Sequence, residues 1–289
     1  MKKHSLLLAL PLLALTSCTT ILEPQSIERE DDEDIVLPTP STSKTDDSNN
    51  SNSDGSSEEE AQPKTASTLT KEEYKDFPIY YLQKLNSYES YKAVTVGSTV
   101  SVGVTQTIDA TVIKGEYSYY YNASNGVVNS SHTAYYHNNQ AVYQNLGDSD
   151  WTVKAIKDYL NIYGTYPFSN AIEGCSVKSD AIKSVTKLDS EENHVFKIVF
   201  NPSKATTNMK IQMKEFGGLK DLPTFNSIDL TITVKDDFTP ITIDLNSEYK
   251  ALKMILPTTC TQHYVVTFSN FNESIEIPGL DAVKGKFSD

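Results

Sequence analysis

Side chains able to do chemistry are few in this chain and badly spaced for it. Its five histidines are His4, His132, His137, His194 and His263. His132 and His137 are five residues apart, so on one strand they point to opposite faces and cannot share a metal ion. They read as strand-end or surface histidines. The carboxylate pairs Glu72-Glu73 and Asp236-Asp237 fall at an expected helix start and an expected turn, which explains them without glycosidic acid–base chemistry. Asn50, Asn52, Asp54 and Gly55 imitate the first half of a calcium-binding loop. Position 12 is then Ala61, where a bidentate Glu is required, and no helix pattern flanks it. The run Glu30 to Asp34 reads as solvated charge. There is no G-x-S-x-G elbow, no phosphate-binding P-loop, no G-x-G-x-x-G and no H-E-x-x-H. Asn122-Ala123-Ser124 and Asn272-Glu273-Ser274 match the glycosylation pattern, a short motif that assigns no function by itself. The expectation is a protein without catalytic residues, metal or cofactor, and not an enzyme.

One thiol has a more specific setting. Lys2-Lys3 is a short basic start, and Leu6 to Leu15 is an apolar run of signal-peptide length, too short to span a bilayer. Leu15-Thr16-Ser17-Cys18 follows, with an aliphatic side chain, two small ones and then a thiol. This tetrapeptide resembles the bacterial lipobox. The resemblance implies that Cys18 is acylated and becomes the mature amino terminus, with residues 1–17 removed as signal peptide. Two or more acyl chains anchor a protein stably where one holds it only marginally. No other stretch reaches 18 apolar residues. The expected location is therefore extracytoplasmic, on a bacterial membrane, with lipid as the only attachment.

Charge divides the chain in two. Residues 19–70 carry a net −10 and residues 71–289 a net −5, against −13 for all 289 residues. The one arginine, Arg29, lies in the acidic segment. The remainder has no guanidinium fork for bidentate phosphate recognition and no basic patch, which excludes nucleic acid as a partner. Residues 19–70 are rich in Ser, Thr, Asp, Glu and Asn, and such a composition cannot bury enough apolar surface to offset its ordering entropy. Residues 18–70 thus read as a lipidated cysteine on a disordered tether with a reach of roughly 40 Å.

The elements that must position any site lie in residues 71–289, expected to form one α+β domain. Thr70 and Glu73 form a T-x-x-E capping box, followed by Tyr74, Phe77, Tyr81, Leu82 and Leu85 at helical spacing, with Pro78 splitting the helix near Asp76. Val94, Val96, Val100, Val102, Val104, Ile108, Ala110 and Val112 all occupy even positions among Thr-rich odd neighbours. This period-two pattern predicts one long bent strand, or two strands joined by an odd-length loop that keeps the parity. Val94, Val96, Val100, Val102, Val104, Ile108 and Val112 are the expected core or ligand-facing strand face. Tyr117, Tyr119 and Tyr121 continue the alternation, and residues 132–144 read as a hairpin turning at Asn138-Asn139. A helix carrying Trp151, Ile156, Leu160 and Tyr163 is expected next. Further strands read at 183–188, 194–200, 228–234, 241–246 and 262–268, with a short helix between Ser203 and Phe216. The architecture expected is a single curved antiparallel sheet, an unclosed half-barrel, with two to four helices packed on one face. The 17 tyrosines supply either a contact surface or ordinary strand packing.

Element order and aromatic positions resemble the LolA/LppX-type lipoprotein domains. The residues concerned are the Val/Thr strands, Tyr143 ahead of Trp151, Asp237-Phe238-Thr239-Pro240-Ile241, the run Tyr264 to Asn272, and Ile277-Pro278. The resemblance implies a cavity for acyl chains and hence a monomeric carrier of a lipid-like ligand. The alternative is an envelope or adhesion module without a small ligand. An extracytoplasmic setting also leaves Cys175 and Cys260 either as a disulfide or as two buried thiols. A bridge across their 84 intervening residues is worth about 4–4.5 kcal/mol in the chain-entropy model.

Overall fold

The computed structural model describes residues 64–126, 129–163, 175, 178–188, 190, 192–217, 219, 221–253 and 256–288. The expected signal peptide, Cys18 and all of the tether up to residue 63 lie outside the described residues. Residues 64–69, which composition assigns to the tether, belong to the packed domain. Ala66 and Leu69 are buried, the Ala66 N–H donates to the Asp236 carbonyl at 2.7 Å, and Lys187 Nζ donates to the Ala66 carbonyl at 2.8 Å. A small apolar pair is enough to seat this stretch although its neighbours are polar. The Thr70 N–H then donates to the Glu73 carboxylate at 3.0 Å, one half of the expected capping box. A 3₁₀ turn at Tyr74–Asp76 leads into α1, Phe77–Ser87, with Pro78 in its first turn, where a missing N–H costs nothing.

Six strands follow: β1 Tyr91–Ser101, β2 Val104–Lys114, β3 Ser118–Asn125, β4 Ser130–His137, β5 Gln140–Asn145 and β6 Thr152–Ala155. After α2, Ile156–Tyr163, come β7 Ile182–Leu188, β8 His194–Phe200, α3 Pro202–Ala205 and α4 Thr207–Gly217. The chain ends with β9 Thr224–Val234, β10 Pro240–Lys253, β11 Leu256–Ser269 and α5 Leu280–Val283. All eleven strands form one antiparallel sheet in the order β6-β5-β4-β3-β2-β1-β11-β10-β9-β8-β7. Two meanders are thus joined by the pairing of β1 with β11, and the sheet is not closed on itself. This is the expected α+β half-barrel.

Turn chemistry sets the registers. Asn138 and Asn139 both take left-handed φ, +46° and +59°, the hairpin geometry expected of that dipeptide. Val102 and Gly103 also have positive φ, +50° and +73°, and make an equally tight two-residue turn between β1 and β2. An even-length turn reverses parity. Val94, Val96 and Val100 therefore lie on one face of the sheet, while Ile108 and Val112 lie on the other with Ala93 and Phe268. Val102 sits in the turn, 84% exposed, and Val104 pairs with Ser101 at the exposed end. The seven residues expected to share a face do not. The pattern was period-two in both strands, but the turn joining them removes the common parity.

The face bearing Ala93, Val112, Val266 and Phe268 is the inner one. α1 buries Phe77, Tyr81 and Leu85 there against Phe196, Ile198, Leu230, Ile232 and Ile243. α2 buries Tyr159 and Tyr163 there against Ala134, Tyr136, Ala141 and Tyr143. Trp151 is not on that helix. The short strand β6 intervenes, and the indole meets Tyr135 edge-on at 5.5 Å on the outer face. The chain beyond β11 also packs on the outer face, where Val283 and Leu280 join Ile113, Tyr119, Tyr135 and Val142.

Candidate functional site

The inner face carries two separate cores with a half-covered strip between them. The larger core spans β7 to β11 and the start of β1; the smaller spans β3 to β5. Between them the register aligns Thr95, Gly97 and Thr99 of β1 with Ala110, Ile108 and Gln106 of β2. Ala110 in turn opposes Asn122, and Val112 opposes Tyr120, on β3. Six of these residues, Thr95, Gly97, Thr99, Gln106, Ile108 and Ala110, are half-buried. The small side chains of Gly97 and Ala110 keep the floor of the strip low. Its walls are Tyr264, beside Gly97 on β11, and Tyr120, which packs against both cores. α4 bridges the same space. Met209 and Met213 lie against the larger core while the helix touches α2 and β4. Thioether side chains of this kind accommodate changes in the shape of what they cover.

Gly97 is required by this arrangement. A Cβ built there would lie 2.2 Å from the His263 carbonyl oxygen and 2.4 Å from Tyr264 Cδ1. The absence of a side chain lets the Tyr264 ring lie across β1. Gly97→Ala is expected to destabilise the domain by about 1–3 kcal/mol, because the clash is with backbone as well as ring. Urea unfolding with fluorescence detection checks this. A variant as stable as the parent would show that the ring does not lie over the glycine. A lone glycine in an alternating strand is the one sequence signal that marks this close approach.

Uncharged hydrogen-bonding groups surround the strip. The Thr99 hydroxyl lies near the phenols of Tyr249 and Tyr264, and burial pushes both phenols up from their ordinary value. Asn122 Nδ2 donates to Tyr120 Oη at 3.0 Å, and burial pushes that phenol up to about 12. Gln106 Nε2 donates to Ser124 Oγ, and Ser247 Oγ donates to Gln262 Oε1 at 2.9 Å. At the far side of the smaller core, His132 is buried with Nδ1 2.8 Å from Asn145 Oδ1 and Nε2 2.8 Å from Tyr159 Oη. Burial lowers its pKa to about 4, so the ring is neutral, donating from Nδ1 and accepting from the phenol. His137, on the opposite face, stacks on Tyr117 at 4.0 Å. His194 and His263 face Asp236 and Asp244 at 3.2 and 3.0 Å. Among the described residues no group of histidines, cysteines and carboxylates is placed to hold a metal.

Cys175 and Cys260 are both buried and both free thiols. Burial pushes the Cys175 thiol up to about 12, which makes it unreactive. Of the two arrangements open from sequence, the structure has the buried-thiol one. Thiol labelling of the denatured, unreduced chain is expected to find both, and their absence would indicate a bridge.

The outer face carries a shallow groove of about 300 Å³ bordered by Ser98, Val100, Asp229, Glu248, Thr261 and His263. Its lining mixes polar and apolar surface, and it is open to water. Val96 and Val100, expected on the ligand side, lie on this outer face.

No family model matches the chain, and no curated protein matches it. Among solved structures it is similar to LprF from Mycobacterium bovis, at 9% identity and a TM-score of 0.38, over 72% of this chain and 97% of that one. It is similar to a DUF1329 family protein from Desulfovibrio piger at 9% identity and a TM-score of 0.30, over 74% and 97% of the two chains. A third is the LolA superfamily protein NE2245 from Nitrosomonas europaea, at 8% identity and a TM-score of 0.29, over 75% and 97%. Likeness at this level assigns no ligand, partner or activity.

Proposed function

We propose that this chain is a membrane-anchored extracytoplasmic lipoprotein whose half-barrel binds a lipid-like molecule along the inner strip, as a carrier and not as an enzyme. In this reading Cys18 bears the acyl chains and residues 19–63 are the acidic tether. The observation that carries the proposal is the strip itself. The residues between the two aromatic-rich cores stay half-buried beneath a methionine-bearing helix. Surface of that kind, inside a concave face, is what an extended apolar chain would cover. No helix among the described residues is long and apolar enough to cross a membrane.

The test is native mass spectrometry of the full chain carrying Cys18→Ser, purified without detergent. The expected result is a stoichiometric co-purified lipid, or saturable uptake of one when offered. A domain that neither retains nor takes up any lipid would end the proposal. A second reading, an interaction module without a small ligand, draws on the outer face, where Tyr117, His137 and Phe287 form a half-exposed aromatic group. Capture of one envelope protein that is lost with Tyr117→Ala, together with an empty inner strip, would favour it.

A further inference from the structure

The inner strip is built without charge, which restricts what can lie in it. The inward residues of β1 to β4, from Tyr91 to Ser101, Gln106 to Val112, Ser118 to Ser124 and Ser130 to Tyr136, include no Asp, Glu, Lys or Arg. The same holds for those of β10 and β11 between Ile243 and Ala251 and between Cys260 and Phe268. The one inward histidine of these strands, His132, is held neutral by its burial, which outweighs the opposing effects of its bond to Asn145 and of Asp148.

Of the cations at the margins, Lys114 and Lys187 are engaged, while Lys210 and Lys214 are carried on the covering helix α4. Lys114 lies at the α1 end and donates to the carbonyls of Asn86 and Tyr88. Lys187 is on the edge strand, bound to the Ala66 carbonyl and placed over the Phe196 ring. Lys214, on α4, lies 4.0 Å from Glu215. None of these is placed along the floor of the strip. What the floor and walls do offer is a series of neutral donors and acceptors: the Thr99, Tyr249 and Tyr264 hydroxyls, the Tyr120–Asn122 pair and the Gln106–Ser124 pair.

We propose, resting on the lipid-binding reading above, that the ligand is a neutral amphiphile whose head carries hydroxyl, ester or amide groups, and that anionic lipids are rejected. A phosphate or carboxylate drawn onto the floor of this strip would lose its hydration and meet no cation of the sheet, which is a large cost. A glyceryl or amide head exchanges water for Tyr, Thr, Asn and Gln partners at little net cost. Selectivity therefore comes from the penalty on the wrong head and not from a strong contact with the right one.

The experiment offers the full chain carrying Cys18→Ser an equimolar mixture of 1-monooleoylglycerol and oleate at pH 7.5. Bound lipid is quantified by mass spectrometry after gel filtration. The two probes share an acyl chain, so the ratio reads the head alone. The expected ratio is at least about tenfold in favour of the neutral lipid. Asn122→Lys, which places a cation beside Tyr120, is expected to shift the ratio several-fold toward oleate, with circular dichroism confirming the fold. Oleate bound as well as or better than the neutral lipid by the parent chain would overturn the proposal while leaving lipid binding intact. Binding of neither probe would overturn the lipid-binding reading and this selectivity with it. Should the variant not fold, the ratio for the parent chain decides alone.

Discussion

Phe196→Ala is expected to cost the domain about 3–5 kcal/mol, read from the urea midpoint at an unchanged slope. The ring has no accessible surface and stacks on Phe77 of α1 with centroids 3.9 Å apart and planes 15° from parallel. Tyr74 meets it edge-on at 5.8 Å, and Lys187 Nζ lies 5.7 Å from its centroid. Phe196 thus joins three things: the strand β8, the helix α1 and the turn that leads into it. Removing the ring leaves a cavity between a sheet and a helix that are both held by many other contacts, so little collapse can relieve it. Ile198→Val, which removes one carbon at the neighbouring inward position of β8, should cost only about 0.5–1.5 kcal/mol. A loss below 1 kcal/mol for Phe196→Ala would mean that α1 does not sit on the sheet as described.

Local signals in the sequence translated directly into local structure. Asn138-Asn139 gave a left-handed two-residue turn, Thr70 and Glu73 gave a helix-start contact, and Pro78 marked the first turn of α1. The half-barrel class was legible because many short alternating strands without parallel crossovers leave few other arrangements. The candidate site was not. It depends on which strands become neighbours, and the β1–β11 pair joins residues more than 150 positions apart with no local signature. It depends also on parity across a turn: Val102 is a β-branched residue at φ +50°, an unusual occupant of that conformation, and nothing nearby announces a turn except Gly103. The apolar face that looked continuous was for this reason cut in two. Trp151 followed the same logic. Helical spacing from Trp151 to Tyr163 was real, but a four-residue strand pairing with β5 took the first part of it. Where a segment has two compatible patterns, tertiary pairing decides between them.

Stability is expected to fall by about 2–3 kcal/mol as pH drops from 6.5 to 4.5, mostly through His132. Burial lowers the pKa of this histidine to about 4 in the folded protein, against 6.5 for an ordinary one. Above pH 6.5 the ring is neutral in both states and titration contributes nothing. Between 6.5 and 4 the unfolded chain takes up a proton that the native state refuses, so unfolding gains free energy as pH falls. Below 4 both states are protonated and the loss levels off. The groups around the ring do not titrate in this window: Tyr143, Tyr159 and Tyr163 are phenols pushed upward by burial. Asp148 is the nearby charge, and its attraction favours the protonated ring only partly against burial. Carboxylates held low elsewhere act at lower pH. Asp237 is brought down to about 2, its burial outweighed by Lys84 and Thr239, so its contribution is lost between about 3.8 and 2. Urea unfolding of the parent and of His132→Gln at pH 7.5, 6.5, 5.5 and 4.5 separates the two effects. The variant should be less stable at pH 7.5, having lost a two-partner ring from a packed core, yet flatter across the window. Equal pH dependence in the two proteins would place the titrating group elsewhere. The same neutral ring is what keeps the smaller core, and with it one wall of the inner strip, free of charge at neutral pH.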